Sequence, residues 1–126
     1  MDGEERDDKI LCDQALWTDV EGVGPWLITG CAHSGPVNTA LHVMKLGDFS
    51  GLHGLIGGTH LIGRDDAYID KTIEGLRRLG LKFLSPCHCT GFKAMAMLYN
   101  AFPTSFAVNY CGRVFEAGKE PRRRLV

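Results

Sequence analysis

In Trp26-Leu27-Ile28-Thr29-Gly30-Cys31-Ala32-His33-Ser34-Gly35-Pro36 an apolar run gives way to small residues and then to a proline. The run has the character of a buried β-strand. The small residues allow a sharp backbone turn, and Pro36 suits the first turn of a helix predicted over Val37 to Leu46. Gly47-Asp48 stops that helix. The same order of strand, turn and helix recurs twice. His53-Gly54-Leu55-Ile56-Gly57-Gly58 reads as a strand, followed by Thr59-His60-Leu61. A helix then runs from an N-cap at Asp65 or Asp66 to a stop at Gly80, with Ile69, Ile73, Leu76 and Leu79 at helical spacing. Leu81 to Ser85 reads as the third such strand, Cys87-His88-Cys89-Thr90-Gly91 as its turn, and Lys93 to Phe102 as a helix capped by Thr90.

Outward from this repeated unit, Gln14 to Asp19 and Trp26 to Thr29 form a hairpin about Glu21-Gly22-Val23-Gly24-Pro25. Ser105 to Tyr110 and Arg113 to Glu116 are expected to add two closing strands about Cys111-Gly112. Residues 1–12 begin with five acids and two bases in the first nine positions and are expected to form an acidic, solvated leader. Residues 13–117 carry the folded part, and 118–126 form a basic tail. Strands alternating with helices give an α/β fold with a mixed sheet and three helices.

The chain has 126 residues, 44% of them hydrophobic and 23% charged, the balance of a globular domain. Its net charge of -1 provides no overall field for nucleic acid or an anionic membrane. No apolar run is long enough to span a bilayer, and the acidic start is unlike a signal peptide, so a cytoplasmic location is expected. The five cysteines are odd in number and are read as free thiols.

His33, His60 and His88 each follow a predicted strand beside glycines, so one sheet edge gathers three imidazoles. Imidazoles in that arrangement suit a divalent ion such as zinc, iron or manganese, which can activate water or polarise a phosphoryl oxygen. Cys31, Cys87 and Cys89 lie one or two positions from these histidines and either join as thiolates or line the strand ends. Cys12 and Cys111 have no histidine neighbour and are expected to be buried or half-buried packing residues. His42 is read as packing or surface, His53 has no partner that the sequence names, and Met95, Met97 and Leu98 are read as core. Gly57-Gly58 lacks the spacing of a nucleotide-binding loop.

The three turns, with Asn38-Thr39 after the first, resemble the C-terminal half of the metallo-β-lactamase-fold family over Asp13 to Val114. The branch they look most like includes the archaeal 7,8-dihydropterin-6-methyl-4-(β-D-ribofuranosyl)aminobenzene-5′-phosphate synthases of the tetrahydromethanopterin pathway. The resemblance implies one lobe of an αββα sandwich with a metal-dependent hydrolase or transferase site at one edge. Zinc is the expected ion, with iron, manganese and magnesium as alternatives, and a small phosphorylated or ester molecule the expected substrate. It implies that His33 and His88 are metal ligands, that His60 is a ligand variant or a substrate contact, and that Thr90 and Gly91 cap a helix behind the last ligand. No general acid or base is implied. The family's H-x-H-x-D-H motif does not occur, since the histidines stand at His33, His42, His53, His60 and His88. The chain alone is therefore expected to be weak or inactive, needing an N-terminal lobe or a partner chain, with homo-oligomerisation a further expectation. The alternatives are a small metal-binding or interaction module and an inert truncated remnant.

Overall fold

The computed structural model describes residues 12–118. The expected acidic leader, apart from Cys12, and the expected basic tail, apart from Gly118, lie outside the described residues. Two strands, β1 (Ala15–Val20) and β2 (Gly24–Thr29), pair antiparallel as a hairpin. Helix α1 (Pro36–Gly47) leads to β3 (Gly54–Gly58), and α2 (Asp66–Arg78) leads to β4 (Phe83–Cys87). A short 3₁₀ turn over His88–Thr90 precedes α3 (Phe92–Ala101). The sheet order is β1-β2-β3-β4, with β3 parallel to both of its neighbours. This is the mixed α/β sheet with three helices that the strand–turn–helix pattern implies. Among the described residues it is a single sheet, with the three helices packed on one face.

Alternation along the strands separates two faces. Leu27, Leu55 and Leu84, all at 0% exposure, point to one face, where they join Ala40 and Val43 of α1, Ile69, Ile73 and Leu76 of α2, and Ala94 and Leu98 of α3. Each leucine so buried contributes roughly 1.5–3 kcal/mol. Met95 and Met97 pack against this cluster, as the expected core role requires. The other face carries a smaller cluster of Trp26, Phe83 and Ala107, flanked by Ile56 and Phe115. Toward β1 that face is open: Leu16 and Ile28, paired across the hairpin, are exposed. No helix among the described residues is long and apolar enough to cross a membrane.

The helix ends follow their sequence signals closely. Pro36 opens α1, and Asp48 closes it in the left-handed conformation at φ 54°. At α2, the Asp65 carboxylate accepts a hydrogen bond from the Tyr68 N–H at 2.8 Å, while Arg77 and Arg78 complement the dipole at the far end. Asp65→Ala is expected to cost about 1 kcal/mol, read as a lower denaturant midpoint with an unchanged slope.

Three expectations are corrected. Strand β4 runs two residues further than the predicted Leu81 to Ser85 and includes Pro86. Thr90 is not the cap of α3: Gly91 occupies that position without a side-chain bond. The Thr90 hydroxyl instead donates to the Cys87 carbonyl at 2.7 Å. The two closing strands are absent among the described residues, where Ser105 to Ala107 make one bridge, Leu84 to Phe106. The Ser105 and Phe106 N–H groups both turn back onto the Phe102 carbonyl. Beyond Ala107, the Asn109 side-chain amide donates to the Ser85 carbonyl in place of a backbone ladder.

Candidate metal centre

The parallel strands β2, β3 and β4 end level with one another, Thr29 opposite Gly57 and Gly58 opposite Cys87. Each then turns abruptly. Four non-glycine residues among those described have positive φ, and three of them are Ala32 (57°), His60 (50°) and His88 (53°), one in each turn. Left-handed backbone at a residue with a Cβ costs roughly 1–2 kcal/mol, so surrounding contacts must hold it. The Gly58 N–H donates to the Gly30 carbonyl at 3.0 Å, and the Ile62 N–H to the Cys89 carbonyl at 3.1 Å. The Thr29 hydroxyl donates to the Gly58 carbonyl at 2.8 Å. The buried Thr59 and Thr90 hydroxyls lie 2.9 Å apart, joining the second turn to the third. Ser34 donates to the Asp13 carboxylate through both its N–H and its hydroxyl, fixing the first turn to the start of the hairpin.

These turns bring the sequence-predicted residues together in two groups. His33 and His60 stand edge to face, ring centroids 4.4 Å apart. The Nδ1 atom of each is buried without a hydrogen-bond partner. Unpartnered polar atoms of that kind cost about 1–3 kcal/mol each, so both rings have lone-pair or N–H capacity that this fold leaves unused. His88 is exposed and lies with half-buried Cys31 and Cys89, their three ligand atoms within 4.8 Å of one another. The groups adjoin, since the His60 backbone N–H donates to Cys89 Sγ at 3.2 Å. Cys89 Sγ in turn contacts the Cys31 carbonyl at 3.4 Å.

Burial pushes the Cys31 thiol above its usual range, with further contributions from Cys89, Asp13 and Cys12. The Cys87 thiol is raised by burial and by Cys89 and Cys111, but it stands outside the cluster that holds Cys89. Cys12 and Cys111 are exposed, correcting the expectation that they pack inside. His42 is exposed, and His53 lies against the Trp26 ring at 5.3 Å. A groove of about 890 Å³ lies between α1 and α2 and is lined by none of these histidines or cysteines. Sequence reasoning placed the histidines at one edge but left the cysteines unassigned. The adjacency of His88 and Cys89 was the available signal, while Cys31 joins them only through the sheet register.

No family model matches the chain. Two curated proteins of the archaeon Methanocaldococcus jannaschii are similar to it. One is a 7,8-dihydropterin-6-methyl-4-(β-D-ribofuranosyl)-aminobenzene-5′-phosphate synthase, 34% identical over 90 residues, which are 71% of this chain and 31% of the synthase. The other is an uncharacterised protein, 34% identical over 88 residues, or 70% of this chain and 32% of that one. The chain therefore matches about a third of the length of each. A crystal structure described as a metal-dependent hydrolase of the β-lactamase superfamily superposes with a TM-score of 0.77 at 29% identity, covering 93% of this chain and 45% of that one.

Proposed function

Because the chain belongs to the metallo-β-lactamase superfamily, we propose that its strand-end turns form part of the metal centre of a hydrolase or transferase. In this proposal His33, His60 and His88 are ligands, and the remaining ligands come from a segment or chain outside the described residues. The observation that carries it is the pair of buried, unpartnered Nδ1 atoms on His33 and His60, held in contact beside His88. Neutral imidazoles with free nitrogens fit zinc, iron or manganese better than magnesium, and zinc is the ion we favour. When bound, the ion supplies Lewis acidity toward a phosphoryl or ester oxygen.

The chain's own residues position this edge and keep it accessible. The Thr59–Thr90 contact holds two turns at fixed separation, and the left-handed backbone at His60 and His88 turns both residues out of their strand directions. The exposure of His88 suits a site that admits substrate, since structural ions are normally enclosed by four protein ligands. A small phosphorylated substrate, as for the synthase relative, is the class we propose. The five cysteines are free, which supports a reducing, cytoplasmic setting.

The test is metal content of the purified chain by mass spectrometry after zinc loading and desalting. His88→Ala is expected to lose most bound zinc and His33→Ala a substantial part of it, both while retaining the circular dichroism of the parent. Unchanged metal in both variants overturns the ligand assignment.

A further inference from the structure

We propose that Cys31, His88 and Cys89 form a thiolate–imidazole site for a soft or borderline cation, zinc or cadmium, beside the His33–His60 pair. It shares His88 with the metal centre proposed above and rests on that reading for this residue alone. The other two ligands are sulfurs brought together from positions 58 residues apart.

Three features carry the assignment. The ligand atoms already lie within 4.8 Å of one another. Two sulfurs on a tetrahedral zinc, with Zn–S about 2.3 Å, stand about 3.8 Å apart, so closing on an ion needs shifts of at most about 1 Å. The cluster is also held before any ion arrives: Cys89 Sγ is fixed by the His60 N–H, and His88 by its left-handed backbone. Finally, the space exists because Gly58 has no side chain. A Cβ there would stand 2.9 Å from Cys89 Sγ and 3.1 Å from Cys31 Cα. Half-buried sulfurs with an exposed imidazole leave a path for an ion to enter.

Binding forms two metal–sulfur bonds and one metal–nitrogen bond, and the two thiol protons pass to solvent. A donor set of two sulfurs and one nitrogen selects zinc or cadmium over magnesium and calcium, which require oxygen. Once both sulfurs are on a metal they are also no longer free nucleophiles.

The experiment is titration of the full reduced chain with cobalt(II), which reports sulfur ligation by an intense near-ultraviolet charge-transfer absorption. The parent is expected to develop this band and to lose it when zinc or cadmium, but not magnesium, is added. Cys31→Ser and Cys89→Ser are each expected to lower it by about half, the double variant to abolish it, and Cys87→Ser to leave it unchanged. Absence of the band in the parent overturns the proposal whatever the variants do, and so does a band that survives the double substitution. His33→Ala separates the two readings. It is expected to keep the sulfur band, so a parent without the band whose zinc content still depends on His33 defeats the sulfur site alone. A parent with the band whose zinc content is indifferent to His33 defeats the imidazole centre alone.

Discussion

Gly58→Ala is expected to destabilise the chain by about 3 kcal/mol and to disrupt the strand-end site with it. The added Cβ would lie 2.3 Å from the Gly30 carbonyl oxygen, a backbone atom that receives the hydrogen bond joining the two turns. It would also press on Cys89 Sγ and the Cys31 backbone. The tightest of these contacts is to backbone, so relief requires β2 and β3 to separate at their ends. Gly22→Ala provides the contrast. Gly22 sits in the hairpin turn with open space around it, and only its φ of 74° resists a side chain, at about 1 kcal/mol. Urea midpoints of the two variants measure the difference. Equal shifts would mean that the close approach at Gly58 relaxes freely, and would count against a tightly held edge.

Leu55→Ala is expected to cost about 2–5 kcal/mol, at the upper end if the cavity stays open. Leu55, the second residue of β3, has 0% exposure and belongs to the cluster that all three helices share. Parallel partners flank it, Leu27 on β2 and Leu84 on β4. Those neighbours are fixed by backbone hydrogen bonds and cannot close over the void. Domains of this size have total stabilities of roughly 5–15 kcal/mol, so one truncation removes a large share. Leu16→Ala, on the open face at 63% exposure, is expected to change stability by less than about 0.5 kcal/mol. Thermal melts of both variants provide the check. A Leu55 variant within 1 °C of the parent would contradict the core assigned to this face.

Much of this architecture was legible because local signals agreed with one another. Apolar runs ending in glycine and histidine marked all three parallel strands, and Asp65 and Gly80 bracketed α2 to within a residue or two. Pro86 falls inside β4 although proline removes a ladder donor; β4 tolerates it as the last named strand of the sheet, where one flank is not fully paired. Ser105 to Tyr110 misled in the opposite sense. Its composition favours a strand, but the Ser105 and Phe106 N–H groups are spent on the turn after α3 and the Ala107 N–H on a single bridge. At the site, the histidines were legible as a set because each closes a similar turn. Their division into a His33–His60 pair and a His88–cysteine cluster was not, since it depends on rotations about three left-handed residues. The union of Cys31 with Cys89 was equally hidden, because it comes from strand register and not from spacing.

The two crossovers of the sheet have a kinetic consequence. Residues 30–53 link β2 to β3 and residues 59–82 link β3 to β4, two connections of equal length. The entropy lost on closing a loop depends on its length only logarithmically, so neither parallel pairing has a chain-entropy advantage over the other. Whichever closes first leaves the edge incomplete, since Cys31 and Cys89 meet only when both are shut. A metal spectrum arising from these sulfurs would therefore follow the last closure during refolding, while helix signals record the earlier ones.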